Sequence, residues 1–567
     1  MTIEQKAKKW LDSTIVGEDL KDEIKKATPE QLNDMFFKDV EFGTGGMRAL
    51  LGPGSNRMNV FTVRKVTVGF AKYLLETYKD AKSRGVVLSH DNRTNSRLFV
   101  TTASEVLNQF GINTFIFDTL RPTPELSFAV RYEHAVGGIM ITASHNPKEY
   151  NGYKVYDDTG CQLVPEKIKP LLDIIATLGD ELDLTFDIAK DLGKQTLLSS
   201  EVDDAFMKKV HSVALYPNDK KVIKIVFTPQ HGTSSVLGRR LFAELGYEFY
   251  PVLEQCTPDP LFSNTLSPNP EKKEAYVKAI ELAKKVNADL ILTTDPDADR
   301  CGLGFLNTKG EYELLTGNQT GALLIDYVLS IRSKRGLLKP NSVICDTIVT
   351  STLGEKIAAN YNVKTLSFLT GFKYIGQAID RAETTHEFTF EFGYEESYGY
   401  IMDTFCRDKD SLESLLLIAE MTNHYALEGK KLDQVLESLY QKYGYHINKL
   451  YDIYFEGEAG LKKMKDLMDK LRKDKLTEIN GVKITKIEDY QLQETIVNNK
   501  VSKLTGFPVS NVLKYYLEDG SWLAVRPSGT EPKCKFYYEA VDKIKERALN
   551  KPEEFHKYIL NLLGLNK

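Results

Sequence analysis

The run 137–151 constrains this chain more than any other stretch. It reads Gly-Gly-Ile-Met-Ile-Thr-Ala-Ser-His-Asn-Pro-Lys-Glu-Tyr-Asn. Its apolar part, 139–141, has the composition of a buried strand. The strand breaks off into Thr142, Ala143, Ser144, His145, Asn146 and Pro147, residues suited to a turn and not to a core. A buried strand that ends in a polar turn fits an α/β sheet, where ligands bind at the carboxyl ends of strands. Ser144 is therefore the first candidate functional residue.

The surrounding sequence repeats this plan. Residues 65–78 carry Val66, Phe70, Tyr73 and Leu74 on one helical face. Residues 85–89 form an apolar strand ending in His90-Asp91-Asn92-Arg93, and 96–110 predicts a helix stopped by Gly111. A second unit follows the polar segment 197–204, with strands at 222–227 and 288–294 and helices at 237–245 and 271–286. A third, from about Thr316, has helices at 318–332 and 353–360 and strands at 343–349 and 387–392. Asp410 is a plausible N-cap for a helix running to Leu427, with Glu413 at the capping-box position. From about Gly444 charge is more scattered. Strands alternating with helices imply a largely α/β architecture, and 567 residues leave room for about four domains.

A formal net charge of −5 argues against nucleic acid held by a bulk positive field. The six cysteines lie far apart with no Cys-x-x-Cys pair, which favours reduced thiols. Residues 1–20 are amphipathic and lack the apolar core of a signal peptide. No apolar run approaches the roughly 20 residues that cross a bilayer. These features predict a cytoplasmic protein with no membrane or nucleic-acid partner.

The strand 288–294 delivers Asp295-Pro296-Asp297-Ala298-Asp299-Arg300. Carboxylates held close repel and raise one another's pKa unless a cation neutralises them. Oxygen ligands suit Mg²⁺ or Ca²⁺, but an EF-hand needs Gly at its sixth and Glu at its twelfth position, where this chain has Arg300 and Leu306. A solvated acidic turn is the alternative; the buried strand before it and the arginine after it count against that. In Arg526-Pro527-Ser528-Gly529-Thr530, an arginine fork, two hydroxyls and a glycine could cradle phosphate or form an ordinary polar turn. Glu395-Glu396-Ser397 suits either sugar hydroxyls or a surface turn. The turn Thr370-Gly371-Phe372-Lys373 and the run Arg407-Asp408-Lys409 are weaker signals. Gly43-Thr44-Gly45-Gly46-Met47-Arg48 lacks the Lys-Ser/Thr of a P-loop. Ser144 is not in a nucleophile elbow, and His145 as its immediate neighbour has poor geometry for a general-base pair. A hydroxyl, a carboxylate cluster and a phosphate cradle together describe phosphoryl transfer.

These motifs, in this order, resemble the α-D-phosphohexomutase superfamily, which includes phosphoglucomutases and phosphomannomutases. The resemblance spans nearly the whole chain. Tyr394-Glu395-Glu396-Ser397-Tyr398-Gly399 lacks the histidine of many bacterial phosphomannomutases and looks more like the long branch that also holds phosphopentomutases. The resemblance implies three related mixed-sheet α/β domains and a C-terminal α+β domain similar to TATA-binding protein, arranged around a central cleft. We place their bounds at 1–200, 201–315, 316–440 and 441–567.

It also implies that Ser144 is carried as a phosphoserine, and that its phosphate and Asp295, Asp297 and Asp299 hold one Mg²⁺. Arg48, Lys154 and Arg300 match positions lining the phosphoserine; His145 has a positioning role. Thr370, Gly371, Lys373, Glu395, Ser397 and Lys409 match the sugar-contacting region, and Arg526, Ser528, Gly529 and Thr530 the distal phosphate site. Lys154 is the candidate general acid or base, with a pKa that a nearby Mg²⁺ and arginine could depress. The implied reaction interconverts glucose 1-phosphate and glucose 6-phosphate through glucose 1,6-bisphosphate, which also serves as activator. Pentose phosphate is the second choice of substrate and mannose phosphate the third. The expected partner is a small phosphosugar and the expected state a monomer or weak dimer. A Mg²⁺-dependent sugar phosphatase and a non-catalytic phosphosugar sensor are the rival readings.

Overall fold

The structure, a computed structural model, describes residues 1–43, 46–455, 457–474, 476–528 and 533–565, with 457–459 and 461 described by backbone alone. The chain divides into two compact units. The first comprises Met1–Thr320, Asn341–Val343 and Gly371–Lys431; the second comprises Gly321–Pro340, Ile344–Thr370 and Leu432–Lys567.

The first unit opens with three helices, Ile3–Asp12, Glu18–Lys26 and Pro29–Phe36. Thr2 and Thr28 each close a capping box with the glutamine three residues on. Their apolar faces bury Ala7, Trp10, Ile24 and Phe36 against Phe61.

Seven strands follow: β1 (Phe42–Gly43), β2 (Gly46–Leu50), β3 (Val86–His90), β4 (Thr114–Phe117), β5 (Gly137–Ile141), β6 (Tyr150–Asp157) and β7 (Gln195–Leu198). Their order is β1-β2-β6-β5-β3-β4-β7. β5, β3, β4 and β7 run parallel, whereas β6, β2 and β1 pair antiparallel. The chain leaves β3 toward β4 on one side and leaves β5 toward β6 on the other, so the two connections diverge between β3 and β5. Such a switch point opens a crevice at the carboxyl ends of the strands. Those ends are His90-Asp91 and Thr142-Ala143-Ser144.

The second sheet contains β8 (Lys224–Thr228), β9 (Glu248–Pro251), β10 (Leu290–Thr294), β11 (Cys301–Leu306) and β12 (Tyr312–Leu314), in the order β12-β11-β10-β8-β9. β8 is parallel to both β9 and β10, which gives a second switch point. The fully buried β10 ends there, at Asp295. The helix expected over 271–286 begins at Val277, after a single 3-10 turn, Lys273–Tyr276. Asn269 is the reason: its side chain takes the Glu271 N–H (3.0 Å) and its carbonyl the Lys272 N–H (2.9 Å), closing a turn instead.

Further along the first unit, Thr389–Glu395 and Gly399–Ile401 form a hairpin. The helix Ser411–Leu427 is capped by Asp410, as expected, through the Leu412 N–H (2.7 Å) and Glu413 N–H (3.3 Å). Glu413 does not complete a capping box. Its carboxylate accepts the Met402 (2.8 Å) and Asp403 (3.1 Å) amides, and the Asp410 N–H goes to Tyr400 O (3.0 Å).

The second unit is dominated by an antiparallel sheet over 445–542, in which Lys533–Asp542 pairs with Tyr445–Tyr454 and Trp522–Pro527. Helices Gly457–Asp474 and Lys545–Leu563 accompany it. The core joins Leu467, Met468 and Leu471 to Leu523, Val525, Phe536, Phe555 and Ile559. Among the described residues, no helix is long and apolar enough to cross a membrane.

Candidate active site

The turn after β5 holds Ser144 at φ 51°, a left-handed conformation uncommon for a residue with a side chain. The Ser144 amide donates to Thr142 Oγ1 (2.8 Å) and the Ser144 hydroxyl to Asp295 Oδ2 (2.7 Å). The hydroxyl also lies 3.2 Å from His145 Nδ1. The two neighbouring side chains thus come within hydrogen-bond reach, but the hydroxyl proton goes to Asp295 and not to the imidazole. Burial and the charges of Arg300 and Arg48 hold His145 well below the usual imidazole range. It is neutral at physiological pH.

The Asp295 loop is folded around its first carboxylate. Asp295 Oδ1 accepts the amides of Asp299 and Arg300, both at 3.1 Å, and Ala298 turns the chain at φ 57°. Three segments hold the loop from outside. Thr123 N donates to Asp297 O (2.9 Å), Thr233 N to Pro296 O (2.8 Å) and Ser411 N to Ala298 O (3.2 Å).

Cations ring the loop. Lys154, on β6, reaches Asp297 Oδ2 (2.8 Å) and Asp299 Oδ2 (3.3 Å), while Lys409 lies 3.1 Å from Asp299 Oδ2 and 3.2 Å from Asp408 Oδ1. Arg300 pairs with Glu271 at 2.5 Å, and Arg48 Nη1 donates to Asn146 Oδ1 at 3.0 Å. Burial, Asp297 and Asp299 push Asp295 well above the ordinary carboxylate range. Burial opposes charge on Asp299 too, but Lys409, Lys154 and Arg300 override it and hold that group ionised. The depression expected of Lys154 belongs to a site in which Mg²⁺ neutralises the facing aspartates. Burial disfavours its charge, but Asp297 and Asp299 outweigh burial and raise its pKa.

The three aspartates fit a cation. One oxygen from each lies within 4.8 Å of the others. Asp297 Oδ1 and Asp299 Oδ1 are buried without a hydrogen-bond partner. Buried carboxylate oxygens that lack donors are stabilised by a bound ion, and an all-oxygen set suits a hard divalent cation.

Glu395 and Ser397 lie at the hairpin turn. Glu395 Oε1 accepts the Gly371 N–H at 2.8 Å, and Tyr398 closes the turn at φ 68°. Gly399 is needed for close approach, because a Cβ there would sit 1.9 Å from Lys409 Cδ. Its absence lets Lys409 run across the hairpin to Asp299. Lys373 is buried, with its ammonium 5.3 Å from the centre of the Tyr374 ring. Thr370, Arg526 and Ser528 belong to the second unit. Arg526 is half-buried on the strand Trp522–Pro527, and the Ser528 N–H donates to Lys533 O at 2.8 Å. Gly529 and Thr530 lie outside the described residues.

Two residues beside this site escaped the sequence reading. Arg93 reaches the Ser144 carbonyl (2.6 Å), and Thr123 Oγ1 donates to Asp297 Oδ2 (3.1 Å) at the first turn of the helix Thr123–Tyr132. The polar run His90–Arg93 at a strand's carboxyl end was the available signal for Arg93.

Family models for phosphoglucomutase/phosphomannomutase match in chain order: α/β/α domain I at 39–181, domain II at 204–307, domain III at 316–443 and the C-terminal domain at 461–551. A phosphoglucomutase of Staphylococcus epidermidis is 38% identical over 536 residues, covering 93% of this chain and 95% of its own. One from Staphylococcus aureus is 37% identical over 535 residues, with the same coverage. Two solved structures share the fold: parafusin, a phosphoglucomutase from Paramecium (TM-score 0.67, 18% identity, 93% of this chain and 96% of that one), and a phosphoglucomutase/phosphomannomutase family protein from Burkholderia thailandensis (0.67, 18%, 92% and 97%). With all four domain types in order and relatives at this identity along nearly its full length, the chain belongs to the phosphoglucomutase/phosphomannomutase family of the α-D-phosphohexomutase superfamily, enzymes that transfer phosphate within a sugar.

Proposed function

We propose that the chain interconverts α-D-glucose 1-phosphate and glucose 6-phosphate, with Ser144 as the phosphoryl carrier and glucose 1,6-bisphosphate as intermediate and activator. The observation that carries this reading is the Ser144 hydroxyl, fixed in a left-handed turn 2.7 Å from the first of three buried aspartates. The Staphylococcus relatives named phosphoglucomutase favour glucose among the sugars. In this reading 1–200 carry the serine loop, 201–315 the metal loop, 316–440 the sugar loop and 441–567 the distal phosphate site.

Asp295, Asp297 and Asp299, with an oxygen on Ser144, would hold Mg²⁺, which when bound withdraws charge from the transferring phosphoryl group. The P–Oγ bond of phosphorylated Ser144 breaks as a P–O bond to the sugar hydroxyl forms. Arg48 and Arg300 stabilise the charge in transit. Lys154 is the candidate donor of the proton that Ser144 Oγ regains, and it takes up in exchange the proton that the attacking sugar hydroxyl loses. Neutral His145 orients the hydroxyl. Thr370, Gly371, Lys373, Glu395, Ser397 and Lys409 contact the sugar, and Arg526, Ser528, Gly529 and Thr530 grip the phosphate that is not reacting. The enzyme works in the cytoplasm on small phosphosugars, as a monomer or weak dimer. None of its six cysteines is in a disulfide, which suits a reducing compartment.

Ser144→Ala should abolish mutase activity and remove the phosphoryl group seen by intact mass. An active, still phosphorylated variant would sink the proposal. Coupled assays with glucose, ribose and mannose 1-phosphates test the sugar; a preference for ribose 1-phosphate would move the assignment to the pentose branch.

A further inference from the structure

Arg93 has no role in the reaction as written above, yet its guanidinium is enclosed by the serine loop. Nη2 donates to Ser144 O (2.6 Å) and Asn146 O (2.5 Å), and Nη1 to Pro147 O (2.8 Å) and Tyr150 O (3.1 Å). Nε lies 3.2 Å from Asp91 Oδ2, and neither side chain is solvent-exposed. Four carbonyls between 144 and 150 thus converge on one planar cation, and the loop is wrapped around it.

This matters because of the backbone at Ser144. A left-handed conformation is disfavoured for a residue with a Cβ and persists only where its surroundings over-determine it. Thr142 Oγ1 holds the Ser144 N–H and Arg93 holds its C=O. With both peptide groups restrained, the Cα–Cβ direction is set, and the hydroxyl reaches Asp295. Arg93 is itself anchored to the end of β3. Asp91 Oδ1 accepts the Arg93 N–H (3.0 Å) and the Ser96 hydroxyl (2.9 Å), while the Asp91 N–H donates to Ile141 O (3.0 Å). A rigid path therefore runs from the sheet through Asp91 and Arg93 to the serine.

We propose that Arg93 is the positioning residue of the serine loop: its carbonyl contacts aim the Ser144 hydroxyl at the metal loop, and so act on the phosphoryl-transfer step and not on sugar binding. This rests on Ser144 being the phosphoryl carrier. Lysine cannot replace arginine here, because an ammonium has three donors on a flexible stem and no planar fork to span four carbonyls.

The test measures kcat, KM and phosphoserine occupancy in Arg93→Ala and Arg93→Lys. Misplacing a reacting group by about 1 Å costs about 100-fold in rate. We therefore expect kcat of Arg93→Ala to fall about 100-fold with KM within about threefold of wild type, and added guanidinium to restore part of kcat. Arg93→Lys should keep its fold but recover less than a tenth of wild-type kcat, and its phosphoserine should turn over more slowly with sugar. Wild-type kcat in either variant, or a loss confined to KM, would overturn the proposal. If Arg93→Ala does not fold, Arg93→Lys alone decides by the same criteria. Wild-type protein unable to carry phosphate on Ser144 would refute the carrier reading itself, a failure separate from full activity in phosphorylated Arg93 variants.

Discussion

Two sites at which this molecule buries carboxylates treat them in opposite ways. Glu539, in the second unit, is fully buried, yet its oxygens accept the Thr352 amide (3.1 Å) and hydroxyl (2.7 Å), the Trp522 indole N–H (2.6 Å) and the Ser351 hydroxyl, with His446 Nδ1 at 3.1 Å. Burial alone would raise its pKa, but these contacts lower it to about 2. Around Asp295, burial and like charges dominate, and one oxygen each of Asp297 and Asp299, Oδ1, lacks a donor. A buried acid supplied with donors holds structure together, because removing it strands them all. A buried acid set left short of donors stores a demand for something the chain does not contain. Between these two sites burial does not separate the roles; the supply of donors does.

The sharpest way to break this contrast is Asp297→Asn. Losing several kcal/mol of charge stabilisation would cut mutase activity by about 10³-fold, and dependence on added Mg²⁺ should weaken. Because Asp297 Oδ2 still serves Lys154 and Thr123, the melting temperature of protein stripped of metal should fall, but by less than that of Glu539→Gln; a larger fall, with activity kept, would erase the distinction. Glu539→Gln should do the reverse. Neutralising a buried partner of several donors costs about 3 kcal/mol, readable by denaturant unfolding, while phosphorylation of Ser144 survives. A stability unchanged within error would show that those contacts contribute nothing net. The smallest effect is in pH. Glu539 is depressed from 4.5 to about 2, so its stabilising contribution is complete above about pH 4.5 and drains away as pH falls toward 2. The unfolded state binds the extra proton over that window. Acid unfolding of Glu539→Gln should lack that part of the slope, and parallel curves would remove the assigned cause.

Much of the site was legible because local sequence encodes it. Ser144 and the three aspartates sit where apolar strands end abruptly, and both sites fall at switch points between parallel strands. Asp410 as an N-cap was equally readable from local chemistry. What escaped is what depends on distant partners. Arg93 acts on carbonyls about fifty residues away and Thr123 on an aspartate farther still; no periodicity announces either. Glu413 has the spacing of a capping box, but amides of Met402 and Asp403 outcompete the local bond. The helix expected from Lys65 starts at Val60, because Asn59 caps it through Phe61 and Thr62. The amphipathic stretch 1–20 holds the helix Ile3–Asp12 and the start of Glu18–Lys26, which pack with Pro29–Phe36 against Phe61.

The amides of Thr123, Thr233 and Ser411, which grip the aspartate loop from outside, come from far-separated parts of the chain. No single segment can therefore shape that loop alone. During synthesis a nascent chain ending before Ser411 would lack one of its three clamps. Affinity for the cation proposed there would be a readout of assembly: fragments or half-folded intermediates would be nearly blind to the ion, and its capture would seal the correctly joined parts.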